Sequence, residues 1–178
     1  DDMKPNDQFY VADFNGDNRD DIFVFNGRDW AVGYLGMLRS QGTSLTMVRR
    51  YDDTLPGWDR MLQNDQFYVA DIDSDNRDDI FVFNGRDWAV GYLQLFHSTG
   101  FSLDYVQRFD EELPGWDDMK PNDQFYVADF DADNRDDLYV FNGRDWNIAY
   151  LEKLQSVRNT LVFGNRWDGN VPGWDDLK

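Results

Sequence analysis

Cysteine is absent from the 178 residues, which removes both a disulfide framework and a thiolate metal site. Histidine occurs once, so neither a histidine metal cluster nor a repeated Ser-His-Asp arrangement can be assembled. Basic residues are scarce: 17 Lys and Arg face 35 Asp and Glu, for a formal charge of -18. A phosphate backbone is bound by clustered positive side chains, so this balance argues against DNA or RNA and points instead to bound cations. No apolar run approaches the roughly 18 residues of a membrane helix, and nothing is expected to span a bilayer. A sustained helical period with caps is also missing, so almost no helix is expected. The opening DDMKPNDQFY lacks the basic and apolar regions of a secretory signal, and because processing removes such a signal this decides nothing.

What is present is one unit written three times. DDMKPNDQFYVAD at Asp1, DRMLQNDQFYVAD at Asp59 and DDMKPNDQFYVAD at Asp117 begin segments spaced 58 residues apart, each closing on PGW at Trp58, Trp116 and Trp174. The units are therefore 1–58, 59–116 and 117–174, and DDLK (175–178) opens a further copy. Within each unit the part from NDQFYVAD to NGRDW is nearly fixed, whereas the part after Leu35, Leu93 and Leu151 drifts. Both parts duplicated together and only one diverged, so something holds the first.

QFYVADF, DIFVFNG, WAVGYL and SLTMVRRY are strand-length runs of aromatic and branched residues bounded by Gly, Asn or Asp. Each unit thus reads as four strands. IFVF is apolar on both faces, which a sheet tolerates when covered on both sides. Short four-stranded sheets recurring at this period predict an all-β fold of β-propeller blades, with a solenoid as the second choice. Three blades are too few to close a ring of four to eight. Two chains completing a six-bladed ring, or a larger ring of chains, answer this, as does a longer array from which these units are a natural or engineered fragment. The trailing DDLK fits the fragment; an open three-blade monomer would expose two apolar faces.

DFNGDNRDD places oxygen-bearing side chains at alternate positions: Asp13, Asn15, Asp17 and Asp21, with the Arg19 carbonyl between the last two. The second copy offers Asp71, Asp73, Asp75, the Arg77 carbonyl and Asp79; the third offers Asp129, Asp131, Asp133, the Arg135 carbonyl and Asp137. This is how a tight loop wraps a hard cation, and six to eight oxygens in a forgiving geometry suit calcium better than magnesium, about one ion per repeat. Position six must turn sharply, and Asn18 enters the left-handed region at low cost. Position four changes from Gly16 to Ser74 to Ala132 while the ligand positions hold. Turn preference of Asp and Asn accounts for an acidic turn but not for spacing kept three times. Strand-like flanks and the absence of a glutamate at position twelve distinguish the loop from an EF-hand.

FYVADFNGDNRDDIFVFNG resembles the FG-GAP or VCBS type repeat of integrin-alpha-like propellers, whose blades carry a calcium loop between their first two strands. With PGW closing each unit, the repeat also resembles, more loosely, the blades of fungal propeller lectins with glycan pockets between neighbouring blades. The resemblance covers all three units and implies a structural role for calcium and an extracellular or cell-surface location.

Asn-Gly in FNGRDW is a hairpin signal, because both residues accept positive φ. Arg28, Asp29 and Trp30, with Arg86, Asp87, Trp88 and Arg144, Asp145, Trp146, are not required by a turn. Arg and Asp can fork hydrogen bonds to sugar hydroxyls while an indole packs on a pyranose ring; the same residues would equally lock adjacent blades. His97, aligned with Arg39 and Gln155, is expected to be an exposed loop residue. The first functional reading is a non-catalytic, calcium-stabilised module binding glycans multivalently. The alternatives are a protein-binding adhesion or scaffold propeller, and a truncated or engineered self-assembling fragment without activity of its own.

Overall fold

The computed structural model describes residues 3–27, 33–57, 61–85, 91–113, 119–143, 149–169 and 171–173. Twelve strands form three four-stranded antiparallel sheets, each drawn from one unit, and no helix occurs among the described residues. The first sheet is a meander of β1 (Gln8–Ala12), β2 (Asp21–Asn26), β3 (Tyr34–Ser40) and β4 (Leu45–Asp52). The second runs β5 (Gln66–Ala70), β6 (Asp79–Asn84), β7 (Tyr92–Ser98) and β8 (Leu103–Asp110). The third runs β9 (Gln124–Ala128), β10 (Asp137–Asn142), β11 (Tyr150–Val157) and β12 (Thr160–Asp168). Among the described residues no helix is long and apolar enough to cross a membrane.

Alternation along the strands gives every sheet two apolar faces. In the first unit the front face carries Phe9, Val11, Ile22 and Val24, which pair across β1 and β2, and the back face carries Tyr10, Phe23, Phe25, Leu35 and Met37. The back face of the first sheet packs on the front face of the second, where Phe67, Ile80, Val82 and Phe96 are buried. The back face of the second sheet, with Phe81, Phe83, Leu93 and Leu95, packs in the same way on Phe125, Leu138, Val140 and Leu154 of the third. The apolar second strand is therefore explained as expected: β6, in the middle sheet, is buried throughout. Sheets stacked in chain order with their first strands side by side make a propeller-like all-β array.

Two sets of polar bonds tie the sheets. Asp78 Oδ2 accepts the Asp13 amide at 2.6 Å while the Asp78 amide donates to the Asp13 carbonyl at 2.9 Å. One unit on, Asp136 and Asp71 repeat the pair at 2.9 and 2.8 Å. The Met61 amide donates to the Asp53 carbonyl and the Met119 amide to the Glu111 carbonyl, at 2.6 and 2.7 Å.

The Asn-Gly expectation is corrected. Asn26, Asn84 and Asn142 are fully buried last residues of their strands, and neither they nor Gly27 and Gly85 have positive φ. Each Asn instead donates its Nδ2 to Asp7, Asp65 or Asp123 at 2.7–2.8 Å, and the hydroxyls of Tyr34, Tyr92 and Tyr150 donate to the same carboxylate oxygen. The other oxygen accepts the amide of Lys4, Leu62 or Lys120, which closes the loop entering the first strand. Asn is chosen here as a buried donor, and the connection to the next strand is longer than a two-residue turn.

Candidate functional site

The acidic loops join the first and second strands of each sheet. The first carboxylate folds the loop around itself: Asp13 accepts the amides of Gly16, Asp17 and Asn18 at 2.8, 3.1 and 2.7 Å. Asp71 does the same for Ser74, Asp75 and Asn76, and Asp129 for Asp133 and Asn134. Position six is left-handed as expected, with φ of 61°, 62° and 65° at Asn18, Asn76 and Asn134. Position four is left-handed too, at Gly16, Ser74 and Ala132, a constraint that its changing identity conceals.

With the loop so folded, carboxylate oxygens of Asp71, Asp73 and Asp75 lie within 4.8 Å of one another, as do those of Asp129, Asp131 and Asp133. In the first unit the Asn15 amide is hydrogen-bonded to Asp21 Oδ2. The ninth-position residues Asp21, Asp79 and Asp137 are the buried floor of each loop, and each accepts the amide of Ser40, Ser98 or Ser156 at 2.7–3.0 Å. Burial, opposed by the Ser98 amide and reinforced by the Asp73 charge, pushes Asp79 up to about 8. Burial raises Asp21 and Asp71 as well. Converging oxygens over a buried carboxylate can hold a metal ion, and an all-oxygen set suits a hard divalent cation. Arg19, Arg77 and Arg135 turn their guanidinium groups back on Asp17, Asp75 and Asp133, while their own amides bond the other oxygen of that Asp.

The expectation for His97 is wrong. It stands on β7 with its side chain largely covered, Nδ1 3.2 Å from Asp73 Oδ2 and Nε2 3.9 Å from Asp79 Oδ2. Gln155 holds the matching place, donating to Asp131 Oδ2 at 2.6 Å. The position after the strand bulge therefore faces the loop in both units, and only long-range register reveals it. Lys153 is a second residue that sequence reasoning misses. It aligns with the buried Met37 and Leu95, yet its Nζ reaches Asp137 Oδ2 at 3.1 Å and Asp131 Oδ2 at 3.6 Å.

A second constellation recurs between units. One notch is lined by Pro5, Asn6, Asp7, Gln8, Gly27 and, from the next unit, Gln63. The same positions one unit on, Gln63, Asn64, Asp65, Gln66, Gly85 and Pro121, line another, each about 200 Å³. Over the third unit Pro121, Asn122, Asp123, Gln124 and Gly143 line a wider cleft of about 650 Å³, joined by Gln66 and Tyr68. The notch exists because the NDQ loop of one unit lies over the NG of the previous one: a Cβ at Gly27 would lie 2.7 Å from the Leu62 carbonyl, and one at Gly85 2.7 Å from the Lys120 carbonyl. Glycine there permits close approach. The candidate ligand residues Arg28, Asp29, Trp30, Arg86, Asp87, Trp88, Arg144, Asp145 and Trp146 lie outside the described residues, as do Trp58, Trp116 and Trp174. In sequence each RDW directly follows the glycine that floors a notch.

No protein-family model matches the chain, and no curated protein matches it either. Among solved structures it is similar to a rhamnogalacturonan lyase of Bacillus licheniformis, with a TM-score of 0.59 at 16% identity. The likeness covers 93% of this chain and 34% of that one, so the chain spans about a third of the lyase's length. At that identity the similarity speaks to the all-β fold alone. That neighbour is an enzyme.

Proposed function

We propose that the chain is a calcium-stabilised propeller-type binding module of the FG-GAP or VCBS kind, non-catalytic and extracellular or cell-surface, whose repeated notches take carbohydrate. One observation carries the reading: consecutive units build the same small polar notch from the same positions, and in sequence the glycine of each notch is followed directly by Arg-Asp-Trp. About 200 Å³ is below the usual 300–1,000 Å³ of drug-sized pockets and suits a single sugar ring better than a protein epitope. Half-buried Asp7 and buried Asp65 and Asp123 are occupied by Asn and Tyr donors, and Gln8, Gln66 and Gln124 in the lining accept the hydroxyls of Tyr10, Tyr68 and Tyr126, so each notch has a wall of polar side chains of the type that suits a hydroxyl-rich ligand. Equal sites on one rigid array gain avidity for a target with repeated epitopes. Calcium acts at a distance from the ligand by fixing the loop between the first two strands. The single histidine lies against Asp73 and Asp79, with ligand atoms close enough to join them in holding a cation.

A glycan array probed with and without chelator tests this. Binding to at least one sugar, lost when Trp30, Trp88 and Trp146 are replaced together in a protein that still folds, is expected. No binding to any sugar, alongside a folded calcium-loaded protein, would sink the carbohydrate reading.

A further inference from the structure

The two internal interfaces show what each face of this sheet accepts, and each end of the stack keeps one such face open. Phe67 and Phe125, on the front faces of the second and third sheets, are 4% and 6% exposed, whereas Phe9 at the same place on the first sheet is 53% exposed. Phe67 sits 5.9 Å from the Tyr10 ring and 4.4 Å from Phe25; Phe125 sits 5.5 Å from Tyr68 and 4.8 Å from Phe83. At the far end the corresponding aromatic pair is Tyr126 and Phe141, and Tyr126 is exposed on the back face of the third sheet. Val11, Leu45 and Met47 extend the open front face, which forms an apolar cleft of about 250 Å³; Phe130 extends the open back face.

The polar bonds are left open in the same complementary way. Asp20 holds the place of Asp78 and Asp136, and Asp129 holds the place of Asp13 and Asp71. Met3 holds the place of Met61 and Met119, and Gly169 that of Asp53 and Glu111.

We infer that a second copy of this chain covers both ends, head to tail, with Phe9 of each copy seated between Tyr126 and Phe141 of the other. Asp20 of one copy then takes the Asp129 amide of the other, and the Met3 amide meets the Gly169 carbonyl. Two such contacts close six sheets, within the four to eight that propeller rings use, and closure removes every open face. The second copy also supplies its Pro5 to the third notch, as Gln63 and Pro121 supply the first two. The new contact differs at one point. Ala149 stands where Gly33 and Gly91 do, and a Cβ there lies 3.1 and 2.8 Å from the Cβ of Met61 and Met119, so Met3 must sit further out. This inference stands on the sheet stacking alone and is independent of the ligand.

Sedimentation equilibrium at about 0.15 M ionic strength or above, where repulsion between two acidic chains is screened beyond roughly 8 Å, reads the result directly. The expected mass is twice the 21.0 kDa of the chain. Phe9→Asp and Tyr126→Asp alter half-exposed side chains, and each variant alone is expected to be monomeric with an unchanged circular-dichroism spectrum. Mixed together they are expected to form a 1:1 dimer through their one intact interface. Met47→Asp repeats the front-face test should Phe9→Asp misfold. A monomeric parent chain, a three-copy mass, or a Tyr126→Asp variant that still pairs with itself overturns the head-to-tail dimer.

Discussion

At the fourth loop position one residue type fits and two are strained. Gly16, Ser74 and Ala132 have φ of 73°, 67° and 61°, in the left-handed region that costs a Cβ-bearing residue roughly 1–2 kcal/mol. Glycine loses more backbone freedom on folding, which offsets about 0.5–1 kcal/mol of that relief. Ala132→Gly is therefore expected to stabilise the protein by about 0.5–1 kcal/mol, read as a higher denaturant midpoint at unchanged slope. A lower midpoint would mean that the alanine methyl makes a packing contact outweighing its strain. The reverse change is expected to hurt, because a Cβ at Gly16 would lie 3.2 Å from both Arg77 Cγ and the Asn76 carbonyl of the next unit.

At the scale of the loop with its neighbouring strand, the three copies are unequal in the charge they already contain. Lys153 brings an ammonium to Asp137 and Asp131 in the third unit, where the first and second place Met37 and Leu95. A cation entering that loop must displace or share space with a tethered positive charge, so the third loop is expected to take calcium more weakly than the others. Lys153→Met removes the partner of a buried carboxylate and is expected to cost about 3 kcal/mol in chelator. Added calcium is then expected to recover most of that loss, while calorimetric titration shows the weakest site strengthened. Equal calcium affinities before and after the change would remove Lys153 from the loop's electrostatics. None of this could be read from residue order, since Lys153 meets Asp137 only through the pairing of β10 with β11. The strands themselves were legible, because alternating aromatic and branched residues announce them without tertiary information. Asp7 was not: its partners Asn26 and Tyr34 are 19 and 27 residues away, and no local spacing marks a hydrogen bond of that reach. The fixed half of each unit thus contains two constellations, the acidic loop and this Asp-Asn-Tyr cluster. Only the first has a visible period.

For the whole molecule, buried carboxylates under a net charge of -18 make stability depend on pH in a direction opposite to the usual acidic protein. Asp79 is raised from 3.8 to about 8, so between those values it holds in the native state a proton that the unfolded chain releases, and burial shifts Asp21 and Asp71 in the same direction. A raised folded value stabilises below the unfolded value and the benefit is lost as pH climbs through the folded one; for Asp79 that window runs from 3.8 to about 8. In chelator, stability is therefore expected to fall steadily between about pH 5 and 8. On the calcium reading proposed above, the ion takes the deprotonated form in place of the proton, so with calcium added stability is expected to hold level or rise across the same range. Denaturant midpoints at several pH values, with chelator and with calcium, separate the two curves. Curves that run parallel would show that the acidic loops carry no ion-linked stability. Asp79→Asn keeps an oxygen for the Ser98 amide while removing the charge, and is expected to flatten the chelator curve and narrow the gap between the two. That combined response would tie the pH dependence to the floor of the second loop, since the exposed acids contribute equally to both curves.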